Sequence, residues 1–187
     1  FTLASPQYLY VYFRDAGSLR KLTGMLATYV DFIGFLNGCG TGCDSLALAE
    51  YALETGDFEN VERYSLQAIA KAETMSQINI IACARFCLIR LRVVQGKFQE
   101  ALEMLDHLKQ EIDKVGISVG QTAVDLCRGY VFASICQPER VPPWLQIGDM
   151  TGARFYYQGL AYNYLVYGKT IMASKKYEML DAIIVLP

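Results

Sequence analysis

The sequence predicts an all-α chain of helical hairpins stacked in series into a right-handed, curved solenoid. Three observations predict this. Apolar residues return at three- and four-residue steps, as along Val61-Glu62-Arg63-Tyr64-Ser65-Leu66-Gln67-Ala68-Ile69-Ala70, which is the period of one helix face. Tight turns break that pattern at intervals of about 40 residues, the spacing of a repeat architecture. No stretch sustains the alternation a strand needs.

The central hairpin runs from Asp44 to Glu73 around Glu54-Thr55-Gly56-Asp57-Phe58. Gly56 supplies the permissive backbone of a helix end, and Asp57 is placed to cap the second helix of the hairpin. Such a hairpin has an apolar face too large to bury alone, so it needs a neighbour of its own kind. Gln95-Gly96-Lys97-Phe98-Gln99-Glu100-Ala101 repeats the turn. Further steps land on Cys136-Gln137-Pro138-Glu139-Arg140-Val141, on Lys175-Lys176-Tyr177-Glu178-Met179-Leu180 and, backwards, on Gly17-Ser18-Leu19-Arg20-Lys21-Leu22. Two places after each turn residue stands a bulky residue: Leu19, Phe58, Phe98, Pro138 or Tyr177. Five places after it stands an apolar one: Leu22, Val61, Ala101, Val141 or Leu180. The expected organisation is a single helical-repeat domain spanning 1–187, with hairpins at 5–36, 44–74, 76–113, 121–147 and 155–187.

In order, Pro6 suits the first turn of a short aromatic helix over Ser5–Asp15, and Ser18 can cap a second helix to about Leu36. Asn37-Gly38-Cys39-Gly40-Thr41-Gly42 breaks the helices. It lacks the preceding strand and the closing Lys-Ser/Thr of a phosphate loop, so it reads as a connector. After the central hairpin, Ser76–Val94 is strongly apolar, and Phe98–Ile112 returns with Ala101, Leu102, Leu105 and Leu108 as its buried stripe. Gly116–Gly120 is a loop, and Thr122–Ile135 is a helix whose Gly129 permits close approach. Pro142 and Pro143 start a shorter helix, Gly148–Gly152 is a loop, and Phe155–Ala173 is a long Tyr-rich helix.

Hydrophobic residues make up 53% of the chain, which excludes a disordered tail. A formal net charge of −2 argues against a dedicated nucleic-acid module and against an anionic membrane surface. The longest apolar run, Met25–Leu36, is interrupted by Asp31 and is too short to span a bilayer. The start at Phe1 and the apolar end Ile183-Ile184-Val185-Leu186-Pro187 read as those of a fragment of a longer protein. Six cysteines, at 39, 43, 83, 87, 127 and 136, read as free thiols in a reducing cytoplasm.

Little chemistry is signalled. His107 reads as a solvated surface residue. Glu50 with Glu54, and Glu100 with Glu103, read as acids on wet helix faces. Cys39, Cys43, Cys83 and Cys87 would have to converge to bind zinc, and small buried thiols are the expected alternative. No acid–base or nucleophile constellation supports an enzyme.

One pattern favours a ligand. The sixth residue before each turn residue is Glu50, Arg90, Tyr130 or Lys169, all polar, whereas three places on stand Leu53, Val93, Ala133 and Met172. First helices of stacked hairpins line the inner wall and pack about 8–10 Å apart. The four can therefore form a polar row for a small effector, or a ladder of structural contacts such as Glu50 with Arg90. The aromatics Phe155, Tyr156, Tyr157, Tyr162, Tyr164 and Tyr167 offer flat surfaces for a sugar or peptide, or a core.

The turns Gly56-Asp57-Phe58 and Gly96-Lys97-Phe98, with small residues at Ala49, Gly129 and Gly168, resemble the tetratricopeptide-repeat turn. The period is longer than the ~34 residues of that repeat. The longer period resembles the sensor region of MalT-type, LuxR-family bacterial transcription regulators. So do Tyr12-Phe13-Arg14-Asp15-Ala16-Gly17-Ser18-Leu19, Ala49-Glu50-Tyr51-Ala52-Leu53, Gly129-Tyr130-Val131-Phe132-Ala133-Ser134, Pro143-Trp144-Leu145-Gln146-Ile147-Gly148-Asp149 and Val166-Tyr167-Gly168-Lys169. That resemblance implies a bacterial, cytoplasmic region for signal sensing, with a small effector (a sugar or peptide) or a partner protein in the concave groove. Self-association and a pure protein-interaction scaffold are the alternatives. The family's ATP and DNA sites belong to flanking domains whose motifs are missing here, so no cofactor, nucleic acid or membrane is expected for this stretch.

Overall fold

Helix follows helix because apolar and small residues recur at helical steps and left-handed turns interrupt them. The computed structural model describes residues 17–18, 21, 41–116, 118–149 and 159–180. All regular structure among these is helical, and no strand occurs. The expected first hairpin, 5–36, lies outside the described residues but for 17–18 and 21. The last residues of hairpin 155–187 and the aromatics Phe155, Tyr156 and Tyr157 lie outside them as well. Two compact units divide the chain, residues 1–95 and 96–187.

In the first unit, α1 (Cys43–Thr55) packs on α2 (Phe58–Glu73), α2 on α3 (Ile78–Val94), and α1 also meets α3. The buried stripe of α2 is Val61, Ser65, Ala68 and Ala72, a four-three-four spacing on one face. Its small side chains let the neighbouring helices approach closely. The helix α3 is buried almost all round, with Ile80, Cys83, Phe86, Cys87, Ile89 and Leu91 inside. Ala52, Val61 and Leu91 close the core at the turn end.

In the second unit, α4 (Phe98–Val115) packs on α5 (Ser118–Ser134), and α5 on α7 (Gly159–Ser174). The short α6 (Pro143–Ile147) packs on α7. The buried residues of α4 are Ala101, Leu105, Leu108 and Ile112, which repeat the spacing of the α2 stripe. Leu102, expected in that stripe, is only half-buried. The loop expected at Gly116–Gly120 shrinks, because α5 already begins at Ser118. A Cβ on Gly129 would stand 2.6 Å from Leu145 Cδ1 and 2.8 Å from Val166 Cγ1, so α6 and α7 sit hard against α5 there.

The four interior turns share a backbone. Gly56, Gly96, Cys136 and Lys175 have φ of 77°, 72°, 57° and 59°. At three of them the next N–H bonds back to the helix. Asp57 donates to the Ala52 carbonyl at 2.8 Å, Gln137 to Phe132 at 2.9 Å and Lys176 to Ile171 at 3.2 Å. This is the Schellman pattern, which satisfies carbonyls that a helix end would otherwise leave bare. Cys136 and Lys175 hold it without glycine, at a cost of roughly 1–2 kcal/mol each. Asp57 caps α2 by accepting from the Asn60 N–H. Of the residues five places on, Val61, Ala101 and Val141 are buried and Leu180 is half-buried. The bulky Phe58, Phe98 and Tyr177 two places on are exposed.

After the first two turns a full helix follows. After Cys136 only a 3-10 turn forms, Pro138–Arg140, before Pro142 interrupts it. Proline lacks the N–H to continue a helix and pushes the residue before it into extended backbone. A second 3-10 turn, Tyr177–Met179, follows Lys175.

Candidate functional site

Glu50 and Arg90 occupy matching places on α1 and α3, and the packing of those helices brings them together. Glu50 is 0% exposed and Arg90 5%. Arg90 Nη1 donates to Glu50 Oε2 at 2.7 Å, and Nη2 to Glu54 Oε1 at 3.1 Å. Glu54 is one helical turn beyond Glu50 and keeps 32% of its side chain in solvent. From α3, the Cys87 thiol donates to Glu50 Oε1 at 3.0 Å. The guanidinium also lies 5.8 Å from the Phe86 ring centroid.

Both oxygens of Glu50 are therefore used. A buried carboxylate is tolerated only when paired and hydrogen-bonded in this way. The expectation of Glu50 on a wet face with Glu54 is corrected by the structure. Glu54 sits at the rim, while Glu50 lies inside because its helix face turns toward Arg90. Burial, followed by the nearby Glu50 carboxylate, pushes the Cys87 thiol well above the usual thiol range. Cys87 accordingly serves as a hydrogen-bond donor to Glu50.

The other two residues of the row meet in the second unit. Lys169 Nζ stands 5.2 Å from the centroid of the Tyr130 ring, a cation–π contact between α7 and α5. Tyr130 is buried and Lys169 half-buried. On the same helix as Tyr130, Phe132 carries two cations, with Arg140 4.1 Å and Arg128 5.8 Å from its centroid. Trp144 donates to Asp125 at 3.1 Å, anchoring α6 to α5. The row thus resolves into two pairs, each inside its own unit.

The remaining candidates take plainer places. Cys43, Cys83, Cys87 and Cys127 are buried and in no disulfide, Cys136 is exposed and in no disulfide, and Cys39 lies outside the described residues. Among the described residues no group of three or more His, Cys, Asp or Glu side chains is arranged to hold a metal ion. His107, Glu100 and Glu103 are exposed. Tyr167 is buried and Tyr164 half-buried. Sequence reasoning missed the Cys87–Glu50 bond and the buried Ser65 hydroxyl, which has no hydrogen-bond partner among the described residues. The only signal for the first was that Cys87 precedes Arg90 by one helical turn.

Comparison with protein-family models, curated proteins and solved structures returns no match for this chain. No helix among the described residues is long and apolar enough to cross a membrane.

Proposed function

We propose that this chain is the effector-sensing and partner-binding repeat region of a LuxR/MalT-type transcription regulator. In this reading it is a right-handed, tetratricopeptide-like solenoid with a period of about 40 residues. The observation that carries it is the left-handed turn shared by Gly56, Gly96, Cys136 and Lys175, with Val61, Ala101 and Val141 buried five places after the first three. Repeated hairpins that bury the same stripes build extended binding surfaces rather than catalytic clefts. The region has no cofactor and no enzymatic activity of its own, and it works in the bacterial cytoplasm. Its effector, a sugar or peptide, would meet the half-buried Lys169 first, since Glu50, Arg90 and Tyr130 are all buried. Isothermal titration of the chain with sugars and short peptides tests this. Binding that weakens in Tyr130→Ala and Lys169→Ala supports it, and binding indifferent to both contradicts it.

A second reading, a protein-interaction scaffold without a small ligand, is favoured by that closure of Glu50 on Arg90. Recovery of one stoichiometric protein partner, with no heat from any small molecule, selects it.

A further inference from the structure

Two arginines of the second unit meet one ring. Phe132 lies in the last turn of α5 and is only 3% exposed. Arg128 stands one helical turn earlier on the same face, and its guanidinium carbon is 5.8 Å from the ring centroid. Arg140 reaches the ring from beyond the turn. The left-handed Cys136 reverses the chain, and the Gln137 N–H donates to the Phe132 carbonyl at 2.9 Å. The 3-10 turn Pro138–Arg140 then brings the Arg140 guanidinium carbon to 4.1 Å from the same centroid, where Nη1 donates to Gln137 Oε1 at 3.0 Å.

One cation on an aromatic ring is a common packing device. A second cation at the same ring costs repulsion unless an anion balances the pair. In the first unit Arg90 meets Glu50 and Glu54, and Arg92 meets Glu62. Arg128 and Arg140 have no ion pair among the described residues. The acids nearest in sequence do not serve them: Asp125 accepts from the Trp144 indole, and Glu139 is exposed. Apart from Arg140 Nη1, neither guanidinium has a hydrogen-bond acceptor among the described residues. No nitrogen of the half-buried Arg128 is sealed from solvent. The carbonyls at the end of α5, which would repel an anion, are taken up by the N–H groups of Ile135, Cys136 and Gln137.

We propose that Arg128 and Arg140 form a binding site for the phosphate group of a small phosphate monoester. A guanidinium is permanently charged and presents a planar fork of donors that matches phosphate oxygens. A phosphate dianion has the charge to balance both arginines and three oxygens to share between them. A carboxylate has one charge, and its two oxygens are saturated by one fork. The Phe132 ring restrains both side chains before the ligand arrives, which lowers the ordering cost of binding. The proposal does not depend on the sensor reading, since Tyr130 and Lys169 take no part in it.

Isothermal titration of the whole chain with inorganic phosphate, glycerol phosphate, glycerol and a short phosphoserine peptide tests it. Glycerol phosphate should bind and glycerol should not. Arg128→Gln and Arg140→Gln should each weaken that binding about tenfold or more. Arg140→Lys, which keeps the charge and loses the fork, should weaken it as well. Arg63→Ala removes an exposed arginine of the first unit that also lies on a ring, and it should leave the affinity unchanged. Thermal melts check that each variant is folded. Should Arg128→Gln fail to melt cooperatively, Arg128→Lys replaces it and should also weaken binding. No binding of inorganic phosphate or glycerol phosphate overturns the proposal. So does binding that Arg63→Ala weakens as much as the two glutamine variants do, since that is net charge and not a site. Tighter binding of the phosphoserine peptide than of glycerol phosphate assigns the pair to a phosphorylated protein and overturns the small-molecule assignment.

Discussion

Arg90 reaches from α3 to Glu50 on α1 at 2.7 Å, with both side chains almost completely out of solvent. A second arginine of the same helix, Arg92, holds Glu62 of α2 at 2.9 Å, but that carboxylate is half exposed. The two pairs have similar geometry and opposite surroundings, so they should behave differently. Arg90→Ala leaves a charge buried without its counter-ion and should cost about 3–5 kcal/mol. Glu62→Ala removes a solvated pair and should cost less than about 1 kcal/mol. Urea unfolding of both variants measures the contrast.

Stability should fall in alkali through Cys87. Its folded pKa lies above the unfolded value of about 8.5, so the folded chain keeps a proton that the unfolded chain gives up. Stability from this source is complete below the unfolded value and declines as pH rises from there toward the folded one. Cys87→Ala should flatten that alkaline decline, read as unfolding midpoints between neutral pH and pH of about 10. A profile of unchanged slope in the variant would remove Cys87 as the cause.

The turns should respond to substitution with opposite signs. Gly56→Ala puts a Cβ on a left-handed residue with nothing near it to clash, so its cost is conformational, roughly 1–2 kcal/mol. Cys136→Gly and Lys175→Gly relieve the same strain at equivalent places and should stabilise, each by up to about 1 kcal/mol after the added freedom of the unfolded chain. Thermal melts of the three variants report the signs directly.

Gly129→Ala should destabilise for a different reason. Its Cβ would intrude on Leu145 and Val166, and overpacking of this kind costs about 1–3 kcal/mol despite alanine's better helix propensity. Trimming the obstruction with Leu145→Ala in the same chain should make the alanine at 129 less costly.

Much of the fold was legible from local pattern. The α2 stripe and the turns at Gly56 and Gly96 follow from spacing and glycine alone. The turns at Cys136 and Lys175 carry no glycine, and only their distance from the earlier turns gives them away. The start of α5 at Ser118 was not legible, because Gly116 and Gly120 both suggest a loop and only Gly116 takes the left-handed conformation. The site was half legible. Matching positions on successive hairpins put Glu50 beside Arg90, but an acid four residues from another acid looks solvated on its own helix. Its burial depends on a partner distant in sequence, and no local rule carries that information. The Cys87 thiol escaped notice likewise, since a cysteine on an apolar helix looks like any small core residue.

The central claim is that equivalent positions on successive first helices grip one another, and a double-mutant cycle on Glu50 and Arg90 tests it most directly. With Glu50→Ala, Arg90→Ala and the double variant unfolded in urea, the double variant should lose less than the sum of the singles by about 2–3 kcal/mol, because the second truncation removes a charge already stranded by the first. Losses that add to within about 0.5 kcal/mol would mean the two residues do not share an interaction, and the stacking built on it would be contradicted.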